Sequence, residues 1–303
     1  MGLTLPVDVI VPTYNGAAYL RESLGSIAAQ TCGVGEVIVV DDGSTDDSAA
    51  LARSLGARVV SQRNAGVGAA RNAGIRASRA PFVALLDADD RWHPELLEAQ
   101  WRVHLARPDV AIIATDYARW TGGALTGSVL SEHPSFSRAQ RDRVSSEAYV
   151  VSQEAMVAAL AVRNFVLPSS LLLDRRLFDE DGVYYRSRAE LPETEDTLVG
   201  EDYEWLMRAL RFTSVAFVDR VLVDYRQWPG TLSARRGRIR NGDIALGRMI
   251  AADPSQYAAG AAEAFARARP LAQRDVTIRY LKSGEFVRAA ASLRELLRRP
   301  RPR

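Results

Sequence analysis

Four times before residue 91 the chain runs an apolar segment into an abrupt polar cluster, and this rhythm constrains the fold more than any other feature. Val7–Val11 ends at Pro12-Thr13-Tyr14-Asn15, Glu36–Val40 at Asp41-Asp42-Gly43-Ser44, Arg58–Ser61 near Asn64-Ala65-Gly66, and Pro81–Leu86 at Asp87-Ala88-Asp89-Asp90. A fifth run is Val110–Ala114. Their near-continuous apolar character is that of strands buried on both faces. Between them Ala18–Ala29, Asp46–Leu55, Val67–Ser78 and Pro94–Arg107 carry apolar residues at helical spacing. Ser44 and Thr45 are placed to cap the second helix, and Pro94 suits a first turn. Such a βαβ series predicts an α/β fold, a mostly parallel sheet with helices on both faces. Ligands in open sheets of this kind bind beyond the carboxyl ends of the strands, so the four clusters are predicted to share one rim.

After Tyr117 the rhythm breaks into a polar segment reaching about Ser146, read as loop or insertion. Order is predicted to resume with a helix near Gln153–Val162, a strand at Ser169–Leu173, a loop through Pro192 and a helix from Glu201 to Arg211. Strands follow around Val215–Val218 and Val221–Tyr225. Beyond Gly237 the chain is helical in pattern and rich in Ala and Arg, ending in a helical hairpin, Gln273–Lys282 and Glu285–Arg298, about Ser283-Gly284.

With 39 basic and 37 acidic residues the net charge is only +2, which gives no global field to attract nucleic acid. The basic residues cluster, however, at Arg235, Arg236, Arg238 and Arg240 and again at Arg294, Arg298, Arg299, Arg301 and Arg303. The ordinary reading is solvated helix faces and a frayed tail; the alternative is contact with phosphates or an anionic membrane surface. The single cysteine, Cys32, excludes an intramolecular disulfide framework and fits a reducing compartment. MGLTLPVDVIVP has neither a basic leader region nor a cleavage site, and Pro6 stands where a myristoylation pattern wants Ser or Thr. No apolar run approaches the ~20 residues that span a bilayer. The expectation is a cytoplasmic protein, at most peripheral at the inner face of the cell membrane.

A dinucleotide fold needs a glycine-rich turn after the first strand, and PTYNGAAYL has one glycine. Gly66-Val67-Gly68-Ala69-Ala70-Arg71 follows the third strand instead and puts Arg71 where the last glycine belongs. No P-loop is present either. The carboxylates suit a hard cation, Mn2+ or Mg2+, which binds few protein carboxylates and shares a substrate's phosphates. In extended chain Asp87 and Asp89 point the same way, so one can hold a ribose hydroxyl while the other ligates the metal. Against this stands simple capping of the helix near Pro94, a role that suits Asp90.

VDVIVPTYNGAAYLRESLGSIAAQT, EVIVVDDGSTDDS, NAGVGAARNAGI and FVALLDADDRWHPELL, followed in order by PSSLLLDRRLF, GEDYEWLMRAL and DYRQWPGTLS, resemble inverting glycosyltransferase family 2 with its GT-A fold. The likeness covers roughly residues 5 to 235. It implies a Rossmann-like GT-A domain over residues 1–236, with a nucleotide-sugar donor half at 1–116 and an acceptor and catalytic half at 117–236. Residues 237–303 are then a C-terminal helical extension. By the same resemblance Thr13 and Tyr14, within Pro12–Asn15, frame the nucleotide base, and Asp42 accepts the N3–H of uracil with Asp41 as the alternative. Arg71, with Asn64 and Gly66 before it, lies near a basic position that reaches the base or diphosphate. Asp87-Ala88-Asp89 matches the DxD motif, Asp87 toward the ribose and Asp89 on the metal. Asp202, after Glu201, matches the general base, and its helix has Leu206, Ala209 and Leu210 on one face. Glu195-Asp196 has similar composition without that helix. Many members carry Tyr-Arg-x-His after the last strand; here Tyr225-Arg226-Gln227-Trp228 leaves Arg226 as the charge partner and offers Trp228 for stacking on a sugar or for packing. Among the histidines only His93 lies beside the acidic loop.

The resemblance therefore implies transfer of a sugar from a nucleotide-diphospho-sugar, UDP-linked by expectation, to a saccharide or lipid-linked glycan acceptor in polysaccharide biosynthesis. Two other functions compete. A nucleotidyltransferase would want a glycine-rich basic signature after the first strand. A non-catalytic nucleotide-sugar binding module would not need Asp89 and Asp202 together.

Overall fold

The structure is a computed structural model that describes residues 3–128, 130, 141–192, 194, 197, 199–228 and 236–297. Arg235, the Arg298–Arg303 tail, Glu195-Asp196 and His133 lie outside the described residues. The strands are β1 Val7–Thr13, β2 Val37–Asp41, β3 Arg58–Ser61, β4 Phe82–Leu85, β5 Arg91–Trp92, β6 Ile112–Thr121, β7 Ala124–Thr126, β8 Arg141–Ser145, β9 Ala148–Val151, β10 Leu171–Asp174 and β11 Val215–Arg226. The helices are α1 Ala17–Ala28, α2 Ser48–Ser54, α3 Val67–Ala77, α4 Leu96–Ala106, α5 Gln153–Val162, α6 Arg176–Asp179, α7 Glu201–Ala209, α8 Arg236–Ala252, α9 Ala261–Lys282 and α10 Phe286–Leu297.

The sheet runs β3-β2-β1-β4-β10-β6-β11-β9-β8, with β5 on β11 and β7 on β6. Strands β3, β2, β1 and β4 are mutually parallel, and β10 enters antiparallel between β4 and β6, as expected of a sheet that is α/β and mostly parallel. Every residue of β1 is buried, which accounts for its unbroken apolar run. Helix α3 lies so close to this layer that a Cβ on Gly74 would stand 2.4 Å from Ile10 Cγ2. Chain order reverses between β1 and β4, and the crevice beyond their carboxyl ends holds the polar clusters.

Several expectations are corrected. Ser44 and Thr45 do not cap α2; the Ser44 hydroxyl accepts from the Asn15 amide, and the Thr45 amide donates to the Asn15 side chain. Asp47 takes the N-cap position without a side-chain hydrogen bond. Helix α4 starts at Leu96 after Glu95, so neither Pro94 nor Asp90 belongs to its first turn. The polar stretch after Tyr117 is not wholly loop: β6 continues to Thr121 and turns back as β7, and β8 pairs with β9. The two strands expected after Ser214 are one strand, β11, with register shifts between Val218 and Val223.

The long helix α9 divides its packing. Its first half sends Ala261, Ala264, Phe265 and Ala268 into the main core. Its second half joins α8 and α10 in a small separate cluster of Ile244, Ala272, Val276, Tyr280 and Ala289.

Candidate active site

The acidic segment after β4 is a turn closed by the Asp90 amide donating to the Asp87 carbonyl at 3.1 Å. One hydroxyl fixes both its ends. Ser169 Oγ accepts from the Asp87 amide at 3.0 Å and donates to Asp90 Oδ2 at 2.5 Å. Ser169 reaches the turn because its short 3-10 segment, Pro168–Ser170, leads straight into β10 beside β4. The other Asp90 oxygen accepts from the Arg226 amide at 3.0 Å. Asp90 is therefore a buried support under the turn, not a helix cap. Burial, then the charges of Asp89 and Asp87, raise its carboxyl well above the usual range.

Asp89 also titrates above the ordinary range, because of burial first and the Asp87 charge second. The Trp228 indole donates to it at 3.4 Å, and Arg226 Nε donates to its main-chain carbonyl at 2.7 Å. Arg226 continues to Glu22 of α1 at 2.5 Å and lies 4.0 Å from the Trp120 ring centroid. Trp228 is 40% exposed, its ring 5.7 Å from that of Tyr19.

Arg71, only 2% exposed, projects from α3 between two carboxylates. Nη2 donates to Asp87 Oδ1 at 2.8 Å and Nη1 to Glu201 Oε1 at 2.6 Å. Burial pulls its pKa down, but Asp87 and Glu201 outweigh this and the guanidinium stays charged. The same side chain lies 5.5 Å from the Tyr185 ring centroid. Its Nε has no partner among the described residues.

Asp202, the second residue of α7, is partly buried and receives Asn164 Nδ2 at 3.4 Å. Burial and the neighbouring Glu201 charge lift its carboxyl to about 7, against the opposing pull of Arg71. A carboxyl poised near neutrality on a helix end fits proton abstraction.

On the other side of the crevice Asp42 is buried, and its carboxylate clamps the loop after β3. It accepts from Gln62 Nε2 at 2.7 Å, the Ala65 amide at 2.9 Å and the Gly66 amide at 2.8 Å. A carboxylate has about four acceptor positions, so one remains for an N–H donor. Asp41 accepts from the Ser44 amide, Asn64 is exposed beside Gly43, and Gly66 has φ 91°. Pro12 and Thr13 are buried at the end of β1, while Tyr14 is exposed next to Asn15, whose φ of 53° turns the chain toward Ser44 and Thr45. Ala88 lies beside Gly16, where a Cβ would be 3.4 Å away.

The acidic turn, Arg71, Glu201 and Asp202 thus form one connected set, and the Asp42 clamp opens on the same rim. His93 belongs to an adjoining support, its Nε2 2.8 Å from Asp224 Oδ1; Arg91 holds the other Asp224 oxygen at 2.6 Å and reaches Glu22, which Arg226 also binds. Sequence reasoning missed Ser169, Glu22, Asn164 and Asp224. Ser169, Glu22 and Asp224 each stand inside one of the ordered motif segments, but nothing there singles them out, as Ser169 from Ser170; Asn164 lies outside them all.

The donor set fits a hard divalent cation. Asp87, one oxygen of which Arg71 holds, and Asp89 would supply carboxylate oxygens, and Asp89 is raised by burial and a like charge that a cation would offset. Among the described residues no group of three or more His, Cys, Asp or Glu could by itself hold a metal.

Residues 8–157 match the family described as Glycosyl transferase family 2. An uncharacterized glycosyltransferase of Rickettsia typhi is 30% identical over 225 residues, 73% of this chain and 63% of that protein, so the chain spans under two thirds of this relative. Another, from Nostoc sp., is 40% identical over 100 residues, 31% of each chain. Among solved structures, S. aureus TarS in complex with UDP-GlcNAc superposes with TM-score 0.68 at 19% identity over 96% of this chain and 80% of that one. The mannosyltransferase PcManGT from Pyrobaculum calidifontis, in complex with GDP-Man and Mn2+, gives TM-score 0.62 at 17% identity over 96% and 74%. These structures share the fold, which is of the GT-A kind. By its ordered motifs and by these matches, the chain belongs to glycosyl transferase family 2.

Proposed function

We propose that the chain is a metal-dependent inverting glycosyltransferase that moves a sugar from a nucleotide-diphospho-sugar, UDP-linked, to a hydroxyl of a saccharide or lipid-linked glycan. The observation that carries this is the Asp202 carboxyl, held near 7 on a helix that Arg71 ties to Asp87 of the acidic turn. The ligands in the two related structures, a UDP-sugar in one and a GDP-sugar with Mn2+ in the other, support the donor class.

In this reading residues 1–116 bind the donor, residues 117–236 carry the base and the acceptor surface, and residues 237–303 extend the domain. Tyr14 stacks on the base, Asp42 accepts its N–H and Asp87 meets the ribose. Asp89, with Asp87, holds Mn2+ or Mg2+, which when bound offsets charge on the departing diphosphate. Asp202 takes the acceptor proton as the new C–O bond forms at the anomeric carbon. The bond from that carbon to the phosphate oxygen breaks, and its electron pair leaves with the nucleoside diphosphate. Attack opposite the leaving group inverts the centre. The enzyme acts in the cytoplasm or at the inner membrane face, in glycan or polysaccharide assembly.

The test is a screen of UDP- and GDP-sugars with and without Mn2+, read by thermal shift and turnover, on wild type and Asp202→Asn. The wild type should be stabilised by one donor only when metal is present. Asp202→Asn should keep donor binding and lose about 10²- to 10⁴-fold in turnover. If no nucleotide-diphospho-sugar binds with metal, the donor assignment fails; if Asp202→Asn turns over like wild type, the base assignment fails.

A further inference from the structure

Helix α10 buries Ala289 and Ser292 against α9 and leaves a different stripe open to solvent. Phe286, Ala290, Leu293 and Leu297 follow one another at i, i+4, i+7 and i+11, and all four are exposed. Phe286 is 68% and Leu297 71% exposed, and Val287 beside them 86%. The partner helix α9 leaves its own stripe, Leu271, Ile278 and Leu281, also exposed. The two stripes meet at the Ser283-Gly284 turn, where Leu281 and Phe286 both face solvent. Apolar side chains at such spacing on an outer helix normally point into a core.

Charge chooses what covers them. From Leu271 to the end of the sequence there are nine basic residues and three acidic ones. Exposed Arg274, Lys282 and Arg294 border the stripes, and Arg298, Arg299, Arg301 and Arg303 follow in sequence. Glu295 is engaged by Arg248 and Arg269. Glu285 is engaged by Arg288 and Ser283. A second copy of the same surface would set these cations against one another. An anionic bilayer offers both an apolar bed and the opposite charge, the pattern of a helix lying in the interface. No described helix is long and apolar enough to cross a membrane.

We propose that the α9–α10 hairpin is a membrane-docking surface for an anionic lipid bilayer, with Phe286, Val287, Leu293 and Leu297 entering the headgroup boundary and the flanking arginines meeting lipid phosphates. It stands independently of the catalytic reading.

The experiment is flotation of the full chain with vesicles of phosphatidylcholine alone or with about a third phosphatidylglycerol, at low and high salt. The chain should float with the anionic vesicles and stay behind with the neutral ones, and salt should weaken the binding. Phe286→Ser with Leu297→Ser, and separately Arg294→Glu, should each cut the bound fraction about tenfold, with circular dichroism and turnover of soluble substrates unchanged. Equal partition onto both vesicle types, or variants that bind like wild type, would overturn the proposal. So would a concentration-dependent dimer that the double serine variant dissolves, since the surface would then serve a second copy.

Discussion

Arg71 Nη1 lies 2.6 Å from Glu201 Oε1, so a side chain of helix α3 holds the first residue of α7. The pairing joins positions 130 residues apart and sets a buried positive charge next to Asp202.

Arg71→Met should therefore do two things. It leaves Asp87 and Glu201 without their shared cation and should cost about 3 kcal/mol in urea unfolding. It also removes the charge that holds the Asp202 pKa down, so the midpoint of the pH–turnover curve should move upward. A destabilised variant with an unmoved midpoint would mean that Arg71 serves packing alone.

Turnover in the wild type should rise with pH through about 7, because the base must be ionised. The same group should act on stability with the opposite sign. Its folded pKa lies above the usual carboxylate value, so the native state binds more protons between roughly pH 4 and 7 and loses stability as pH rises there. Asp202→Asn, which cannot ionise, should gain stability relative to wild type at pH 8 compared with pH 5, as measured by thermal unfolding at both values.

Ser169→Ala removes the hydroxyl shared by Asp87 and Asp90. It should cost about 2 kcal/mol, since a buried acceptor and a buried amide each lose a partner. Donor affinity, followed by calorimetry with metal present, should fall while the far-UV spectrum stays native. Unchanged affinity would show that the turn keeps its shape without the hydroxyl.

At the opposite end of β1, Asp8 accepts from the Glu36 amide, the Ser78 hydroxyl and the Arg79 and Ala80 amides. Burial pushes its pKa up, but these donors prevail and hold it below the ordinary value. The stabilisation is present above the usual carboxylate pKa and disappears as pH falls through the lowered one. Asp8→Asn should flatten the acid limb of a stability–pH curve and cost about 2 kcal/mol at neutral pH.

Strands β1, β2 and β4 were legible because burial on both faces writes itself as unbroken apolar runs; β3, read the same way, is instead a half-exposed edge strand. Helix α5 came out at the expected bounds because its apolar residues and the Ser152 cap sit together in sequence. The errors have a common cause. Ser44, Thr45 and Asp90 have side chains suited to local capping, yet each is used by a distant part of the chain, Asn15 in one case and Ser169 and Arg226 in the other. Polar strands such as β8 were unreadable because pairing with β9, not an apolar pattern, holds them. Asp87, Asp89 and Asp202 could be named from motif order, but the Arg71 bridge from Asp87 to Glu201, beside Asp202, is visible only in space.

Arg226 touches Asp90 and Glu22 across 136 and 204 residues of chain. During synthesis the first four parallel strands emerge long before it. A nascent chain halted ahead of β11 would own every acidic residue of this turn and still lack the main-chain amide that satisfies Asp90. The partners of the acidic turn are therefore complete only once β11 has been made, because the Asp90 carboxylate and the Asp89 carbonyl both wait for Arg226.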